Sequence, residues 1–434
     1  MLDAKLIPKH PRLAGDDSLG TPLFRCCHAY YTVILINPVD CPSNPILAGG
    51  RRRGSQTMKR RTFVNGVISA GVLSSAPSIP ALSDANNRAI SKNLHSMVGI
   101  DRHQQRFAKA LKPGMTVGVV APSSNAFEDD DIRFALDIVS SLGFKPKPGR
   151  HLFNRYGYLA GTDSQRAADL NAMFVDDEVD AIFCARGGYG AMRILPMLDY
   201  TAIGANPKVL LGYSDITALI SAIDRHAGLV TFHGPIATQQ YTPYTYQSFR
   251  DTLLLHKRDV EIGSPPPFEA GPGRAERKNR LQTIVAGSAE GHLVGGNLSL
   301  ISALMGTPYE PRFDQGILVL EDVDEAPYRV DRMLTQLRLA GVFERINGLV
   351  LGKFTDYTVG GPSLSMGRVF EDLCGDLSIP VLRGLMIGHV KDQAVLPMGA
   401  MAHLDSDAGT LRVTGQYLQA KIGRVVPSYR VKDK

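Results

Sequence analysis

Short, unbroken apolar runs alternate with amphipathic segments in the middle of this chain. The apolar runs, which are typical of buried strands, lie at 115–121, 181–185 and 208–212. The amphipathic segments, which are typical of helices, lie at 130–142 and 164–174. Strands that alternate with helices in this way form a parallel sheet. The pattern therefore predicts an N-terminal parallel α/β domain, Rossmann or flavodoxin-like, over residues 111–241.

The second half of the chain predicts another domain with more β-structure. Residues 242–280 are polar and rich in proline and glycine, which favours a linker. A helix pattern follows at 328–340, and strand patterns lie at 316–320, 348–353, 400–404 and 410–414. We therefore expect a C-terminal mixed α/β domain with a β-rich core over residues 281–434.

Ser214 follows the run at 208–212 and precedes a helix pattern at 216–223. Ligands of parallel sheets bind at the carboxyl ends of the strands. The N-terminus of a helix also stabilises developing negative charge, so this turn suits a serine nucleophile. It equally suits an N-cap, which is a frequent role of serine, and the turn alone leaves both roles open.

A serine nucleophile needs a base, and the base needs an acceptor that orients it. Glu321 ends the strand pattern at 316–320 and is a candidate acceptor, although the acidic residues that follow it leave the choice open. His389 and His233 are rival bases, because each follows an apolar, strand-like run. A solvated acidic loop and an exposed loop histidine are the alternative interpretations.

Charge and cysteine content exclude several classes of function. The first 83 residues carry ten basic and four acidic residues and the whole chain carries 48 and 42, so the remainder is electrically balanced. This balance argues against nucleic-acid binding. Only Cys184 and Cys374 follow residue 83, too few for a disulfide framework or a cysteine-rich metal site. We therefore expect no metal and no cofactor.

A twin-arginine pattern precedes the predicted domains. Arg60 and Arg61 stand ahead of a mildly apolar stretch at 67–76, and small residues follow up to Ser83. This order predicts an export signal over 58–83, recognised by the twin-arginine machinery, and a periplasmic location. The stretch is too short to span a bilayer. A basic surface helix is the alternative interpretation, and a cytoplasmic location is the alternative location.

The segments on either side of this signal have simpler interpretations. Residues 1–57 show no sustained periodicity, and we interpret them as a disordered extension or as an over-long gene prediction with Met58 as the true start. Residues 84–110 are expected to form a lead-in to the N-terminal domain.

Seven motifs, in order, resemble the serine LD-carboxypeptidases, also called murein tetrapeptide carboxypeptidases, a family that includes microcin C immunity hydrolases. The resemblance covers roughly residues 112–427. The motifs are Gly-Val-Val-Ala-Pro-Ser at 118–123, Ala-Arg-Gly-Gly-Tyr-Gly at 185–190, Leu-Gly-Tyr-Ser-Asp-Ile-Thr at 211–217, Phe-His-Gly-Pro at 232–235, Gly-Gly-Asn-Leu at 295–298, Leu-Glu-Asp at 320–322 with Pro-Tyr-Arg-Val-Asp-Arg-Met-Leu at 327–334, and Gly-His at 388–389.

This resemblance implies the roles of individual residues. The family's triad falls on Ser214, Glu321 and His389, so that His233 is not the base. The resemblance further implies a cleft between the two domains, where ligand sites are common. Candidate groups around the triad are the backbone N–H groups of Asp215, Gly187 and Gly188 for an oxyanion, and Arg186 and Arg329 for the substrate carboxylate. Either arginine could instead pair within the acidic segment at 321–325.

The implied activity is release of the terminal D-alanine from murein tetrapeptide stems through an acyl-enzyme. The resemblance also implies a homodimer. Two alternatives remain: a microcin-type immunity hydrolase that cleaves an aminoacyl or peptidyl nucleotide, and a periplasmic ligand-binding protein without turnover. The chain contains no tryptophan, so a tyrosine or phenylalanine would have to stack on a nucleobase.

Overall fold

The computed structural model of the chain describes residues 105–420. The predicted extension at 1–57 and the predicted export signal at 58–83 lie outside the described residues, as does most of the lead-in at 84–110. None of the helices within the described residues is long and apolar enough to cross a membrane. The homodimer stays a prediction.

Six strands form the first sheet. They are β1 (Thr116–Val120), β2 (Lys145–Pro148), β3 (Ala181–Cys184), β4 (Val209–Gly212), β5 (Thr231–His233) and β12 (Leu396–Met398). Their order across the sheet is β12-β5-β4-β3-β1-β2. Strands β1 to β5 are parallel, and β12 pairs with β5 in the antiparallel sense. This sheet confirms the predicted parallel α/β architecture of the N-terminal half.

Helices alternate with these strands. In chain order they are α1 (Asp129–Ser141), α2 (Asp163–Val175), α3 (Ala191–Ile194), α4 (Tyr200–Ala205) and α5 (Thr217–Ala227). Helix α2 begins at a capping box in which Thr162 and Gln165 bond reciprocally to each other's backbone N–H. All residues of β3 and β4 are buried, because helices pack on a parallel sheet, and their sequences are accordingly apolar without alternation.

Eight strands form the second sheet. They are β6 (Val260–Glu261), β7 (Gln282–Val285), β8 (Ser288–Asn297), β9 (Gly316–Val323), β10 (Gly348–Thr355), β11 (Val381–Arg383), β13 (Met401–Asp405) and β14 (Thr410–Val413). The order is β6-β14-β13-β8-β9-β10-β11-β7, with a parallel centre from β8 to β11 and antiparallel flanks. Its helices are α7 (Leu298–Leu304), α8 (Pro327–Leu339) and α9 (Met366–Cys374). The predicted mixed C-terminal α/β domain is confirmed.

Two features depart from the expected boundaries. The segment at 242–280, expected as a linker, contains helix α6 (Pro243–Phe249) and strand β6. Phe249 and Leu253 are completely buried within it, so two apolar anchors hold a stretch that is polar on average. Strand β12 lies in the expected C-terminal domain at 281–434 but completes the first sheet. Its Pro397 is tolerated because β12 is an edge strand.

Candidate active site

Ser214 lies on a tight turn at the carboxyl end of β4. It is the first residue of a short 3-10 helix, Ser214–Ile216, which continues into α5. Its φ of 64° is in the left-handed region, which is unusual for a residue with a side chain. Its hydroxyl caps neither helix, so Ser214 is not an N-cap. The strand–turn–helix context is also that of a nucleophile turn.

Gly187 lies directly against Ser214. A Cβ built at Gly187 would be 2.9 Å from the Cβ of Ser214 and 3.2 Å from its hydroxyl oxygen. Only glycine fits so close to the serine, which brings the loop after β3 beside the turn after β4. The N–H of Asp215 belongs to the first turn of the short helix, where backbone donors lack partners within the helix.

The side chain of Asp215 is buried and supports the turn rather than facing a ligand. One carboxylate oxygen, Oδ2, accepts the Ser123 hydroxyl at 2.6 Å and the backbone N–H of Ala191 at 2.8 Å. Burial raises the pKa of Asp215, and these two hydrogen bonds oppose that shift. Asp215 therefore joins the loops after β1 and β3 to the serine turn.

A buried arginine holds the same loops. The guanidinium of Arg166 donates to the backbone oxygens of Pro122 and Gly190 and pairs with Asp163. The Arg166 side chain has no exposed surface. Burial lowers its pKa, and Asp163 opposes that shift. Arg166 thus fixes the loops after β1 and β3, which lie beside the serine turn.

Glu321 and His389 form a hydrogen-bonded pair supplied by the second sheet. The Nδ1 atom of His389 is 2.7 Å from Oε2 of Glu321, which is fully buried near the end of β9. Gly388 approaches Glu321 so closely that a Cβ there would lie 2.7 Å from Oε2. Since Nδ1 is engaged by the carboxylate, Nε2 of the neutral ring is the nitrogen left to accept a proton.

Charge interactions tune this pair. Burial by itself would raise the pKa of Glu321, but the neighbouring histidines outweigh burial and lower the pKa to about 2. Burial would likewise lower the pKa of His389, but the hydrogen bond and negative charge of Glu321 outweigh it and raise that pKa. Glu321 therefore stays ionised at neutral pH and stabilises the imidazolium form of His389.

His233, the rival base, lies on the other side of the same carboxylate. Its Nε2 is 3.8 Å from Oε1 of Glu321, too far for a hydrogen bond. The ring is almost completely buried and packs edge-on to Tyr213, with centroids 5.9 Å apart. Among the described residues, Glu321 and Tyr213 are the site residues that the buried His233 ring adjoins.

Tyr213 connects the serine turn to the histidine. Its ring lies against that of His389, with centroids 4.8 Å apart. No hydrogen bond joins the hydroxyl of Ser214 to His389 in the described part of the chain, and such bonds often tighten only when substrate binds. Tyr213 and His389 share the wall of a cavity of about 640 Å³ with Gln239, Gln240, Tyr241, Thr242, Val390 and Lys391.

Asp322, next to Glu321, organises the second domain around the site. Its Oδ1 accepts hydrogen bonds from the side-chain amide of Asn297 and from the backbone N–H of Val323, each at 2.9 Å. Its Oδ2 accepts the backbone N–H and hydroxyl of Ser299 at 2.9 and 2.8 Å. Burial and the negative charge of Glu321 raise the pKa of Asp322 to about 6. The backbone N–H of Asn297 in turn donates to the hydroxyl of Thr217 at the start of α5. This hydrogen bond joins the two domains.

The remaining candidate residues are placed differently from the triad. Arg186 is exposed, and its guanidinium donates to the backbone oxygen of Asn125 at 3.3 Å. Gly188 has a φ of 109° and packs on Ser124 rather than on Ser214. Arg329 lines a separate cavity of about 760 Å³, bonds the Tyr328 hydroxyl at 3.0 Å and lies 3.5 Å from Glu325. The structure therefore gives neither arginine a place beside His389.

Several residues that shape the site were not identified from the sequence. They are Ser123, Arg166, Tyr213, Asn297 and Asp322. Ser123, Tyr213, Asn297 and Asp322 lie inside recognised motifs at strand ends, so their position was a usable signal. Arg166 lies within an ordinary helix pattern, where nothing marks a buried cation. Among the described residues no cluster of three or more histidines, cysteines or acids is arranged to hold a metal ion.

Two α/β domains with a glutamate–histidine pair beside a serine turn define a peptidase-type hydrolase. Residues 117–234 match the LD-carboxypeptidase N-terminal domain, and residues 290–404 match the LD-carboxypeptidase C-terminal domain. The chain belongs to the LD-carboxypeptidase family, peptidase family S66, which also includes the microcin immunity protein MccF.

Individual relatives align over nearly their whole length. A Bacillus subtilis protein named "Probable murein peptide carboxypeptidase" is 40% identical over 305 residues, 69% of this chain and 91% of the relative. The murein tetrapeptide carboxypeptidase of Pseudomonas aeruginosa is 33% identical over 299 residues, 67% and 93% of the two chains. MccF occurs in Escherichia coli. Its structure in complex with glutamyl sulfamoyl guanosine superposes with a TM-score of 0.65 at 28% identity and covers 72% of this chain and 99% of MccF.

Proposed function

We propose that this protein is a serine LD-carboxypeptidase that releases terminal D-alanine from murein tetrapeptide stems. The observation that carries the proposal is the 2.7 Å hydrogen bond between Glu321 and His389, with the His389 ring packed on the residue preceding Ser214. The names of the Bacillus and Pseudomonas relatives support the choice of murein peptides. The cavity beside His389 supplies room for the peptide.

The proposed reaction begins at Ser214. Nε2 of His389 takes the hydroxyl proton as the serine oxygen attacks the carbonyl that precedes D-alanine. Glu321 holds Nδ1–H and stabilises the resulting imidazolium, which then protonates the departing amine. D-alanine leaves, a water deprotonated by His389 attacks the acyl-serine, and the shortened peptide is released. Backbone N–H groups of Asp215 and the loop at Gly187 stabilise the oxyanion, and one such donor is typically worth about 3 kcal/mol.

A second candidate substrate is an aminoacyl nucleotide. The similarity to MccF, solved with glutamyl sulfamoyl guanosine, favours it. Tyr213 and Tyr241 line the cavity at His389 and are the aromatic side chains available there to stack on a base. The absence of tryptophan from the chain weakens this candidate relative to the first.

One assay separates the two substrates. The purified protein is incubated with a disaccharide tetrapeptide and, separately, with an aminoacyl sulfamoyl adenosine, and products are followed by mass. Release of free D-alanine from the first supports the carboxypeptidase. Turnover of only the nucleotide would make the aminoacyl nucleotide the favoured substrate. Turnover of neither compound would favour a binding protein.

Ser214→Ala tests the nucleophile. By comparison with other serine peptidases, kcat should fall about 10⁶-fold while the fold is retained, because the side chain lies on a turn with a free hydroxyl. The measurement is D-alanine release at saturating substrate, with far-UV circular dichroism on the same sample. Ser140→Ala, at an exposed position of helix α1, is the matched control that removes a hydroxyl away from the proposed site. Normal turnover by the Ser214→Ala variant would mean that another residue is the nucleophile.

We also propose export through the signal at 58–83. Changing Arg60 and Arg61 together to lysine should keep the protein in the cytoplasm, because the twin-arginine machinery reads that pair. Cell fractionation with an antibody measures the result. An equal periplasmic yield for both forms would remove the twin-arginine route without affecting the proposed chemistry.

A further inference from the structure

A second cavity of about 640 Å³ adjoins the one at His389 and is lined by cationic side chains. Its basic residues are Arg277, Lys278, Arg280, Lys353 and Arg383. No aspartate or glutamate is among the described residues that line it. We name it the basic cavity. Val390 lies in the wall of both cavities, so the basic cavity begins next to the histidine loop.

Two of these cations are withdrawn from solvent without a carboxylate partner. The ammonium of Lys353, which is 9% exposed, donates to the backbone oxygen of Lys278 at 3.1 Å and to the Asn279 side chain at 3.2 Å. Arg383 donates to Gln282 at 3.1 Å, and its guanidinium lies 4.8 Å from the centre of the Phe370 ring. Neither forms an ion pair with any residue between 105 and 420.

Burial has an energetic consequence for both groups. It has the largest effect and lowers the pKa of both groups. The negative charge of Glu276 opposes the shift at Lys353, and that of Glu371 opposes the shift at Arg383, but neither outweighs burial. The positive charge of Arg383 lowers the pKa of Lys353 further. Withdrawing a charge from water is costly unless an opposite charge compensates. Because the lining offers no carboxylate, an anion that enters the cavity would supply that compensation.

The loop before β7 presents two more cations to the same space. The carboxylate of Glu276 accepts backbone N–H groups of Arg277 and Lys278, each at 2.7 Å, which fixes the loop backbone. The side chains of Arg277 and Lys278 are exposed and have no hydrogen-bond or ion-pair partner among the described residues. A purely structural role for Lys353 would explain its own bonds to this loop, but it would not explain why five cations converge.

The cavity lies within reach of a peptide bound at His389. Thr355, in its wall, donates its hydroxyl to the backbone oxygen of His389 at 3.2 Å. A murein stem carries carboxylates besides the terminal one, on its γ-linked glutamate and, where the third residue is diaminopimelate rather than lysine, on that residue. These groups lie a few bonds from the cleaved amide, which matches a neighbouring subsite.

We propose that the basic cavity binds a carboxylate of the stem peptide remote from the cleaved bond and thereby selects free-acid stems over amidated ones. The inference rests on the carboxypeptidase function proposed above. Each charge-assisted hydrogen bond to a carboxylate corresponds to about a tenfold difference in KM or Kd.

The test compares a free-acid tetrapeptide with the same peptide amidated at its glutamate and diaminopimelate carboxyls. The protein should have a KM about tenfold lower for the free acid. The double variant Arg277→Gln, Lys278→Gln, made at two exposed positions, should reduce this preference several-fold. Arg383→Gln should reduce it further. Lys109→Gln, which removes an exposed charge that lines neither cavity, is the matched control and should keep the full preference.

Titration calorimetry on Ser214→Ala gives the same comparison without turnover. Its Kd should favour the free acid by a similar factor, and that factor should shrink when the Arg277→Gln and Lys278→Gln changes are added. Equal affinity for both peptides, in KM and in Kd, would overturn the basic-cavity proposal and leave D-alanine release intact. Calorimetric preference without D-alanine release would overturn the carboxypeptidase and keep the anion subsite.

Discussion

Ser214 and Glu321 occupy comparable places in two different sheets, and their surroundings differ sharply. Ser214 lies just beyond the end of β4 and Glu321 lies near the end of β9, and each is followed by a buried aspartate. The serine turn has a left-handed φ of 64° and a hydroxyl that caps nothing. Glu321 is fully buried and already bonded to His389. The proposed acid–base pair is therefore assembled in advance, whereas the proposed nucleophile lies on a turn that the buried side chains of Asp215 and Arg166 support.

The two aspartates show the same contrast. Asp215 uses one oxygen to accept two donors, and Asp322 uses both oxygens to accept four. A carboxylate with every lone pair engaged is harder to replace than one with a spare oxygen. Asp322 thus accepts more hydrogen bonds than Asp215 does, whereas the serine turn has the additional support of Arg166.

Glu321→Gln removes the charge from the preassembled Glu321–His389 pair and should have the largest effect among the variants that compare the two sites. We expect kcat/KM to fall about 10⁴-fold, because the amide neither fixes the tautomer nor stabilises the imidazolium. D-alanine release measures this, and Glu325→Gln, on the acidic loop beyond β9, is the matched control. Loss of less than tenfold would show that His389 does not depend on Glu321.

The pH dependence of kcat/KM tests the same interaction between Glu321 and His389. The proposed base, His389, acts only when neutral, and Glu321 raises its pKa above the ordinary value of 6.5. We therefore expect kcat/KM to fall with decreasing pH through a midpoint above 6.5. In Glu321→Gln the negative charge is gone, and the residual activity should have its midpoint at lower pH. An unchanged midpoint would assign the acid limb to another group.

Asp322→Asn and Asp215→Asn compare the two supports directly. At 322 the amide nitrogen must face two donors, and we expect the free energy of unfolding to fall by about 2–3 kcal/mol. At 215 the remaining oxygen can accept both donors, so the loss should be about 1 kcal/mol or less. Urea unfolding measures both. Equal losses would remove the distinction drawn between the two aspartates.

Ser214→Gly tests the left-handed backbone of the serine turn and should have the smallest effect, a change in the free energy of unfolding. A residue with a side chain in the left-handed region costs about 1–3 kcal/mol, and glycine relieves that cost while losing more chain entropy. The net result should be a gain in unfolding free energy of up to about 1 kcal/mol. Ser214→Ala keeps the Cβ and should show no such gain in the same urea experiment. A destabilised glycine variant would mean that the turn is not strained.

Local pattern was sufficient for most of the first domain. The apolar run at 208–212 became β4 at Val209–Gly212, and the segment at 164–174 became α2 at Asp163–Val175. Buried strands and capped helices are encoded by neighbouring residues, so they can be interpreted one at a time. The order of motifs also identified Glu321 and His389, which are 68 residues apart and hydrogen-bonded.

Features that depend on distant partners escaped prediction. Strand β12 has three residues, one of them proline, and it exists because it pairs with β5 more than 160 residues earlier. Arg166 is buried because two loop carbonyls and Asp163 surround its guanidinium. Chemistry alone left two roles open for Arg329, the substrate carboxylate or an ion pair within the acidic segment, and in the structure it lies 3.5 Å from Glu325.

The return of β12 to the first sheet has a consequence for how this polypeptide can be divided. A fragment that ends near residue 241 would lack the outermost strand beside His233 and would leave the β5 edge with unpaired backbone groups. Such an edge invites pairing with other chains. Truncated or split versions of the enzyme should therefore aggregate unless the residues around Leu396 are resupplied as a separate peptide.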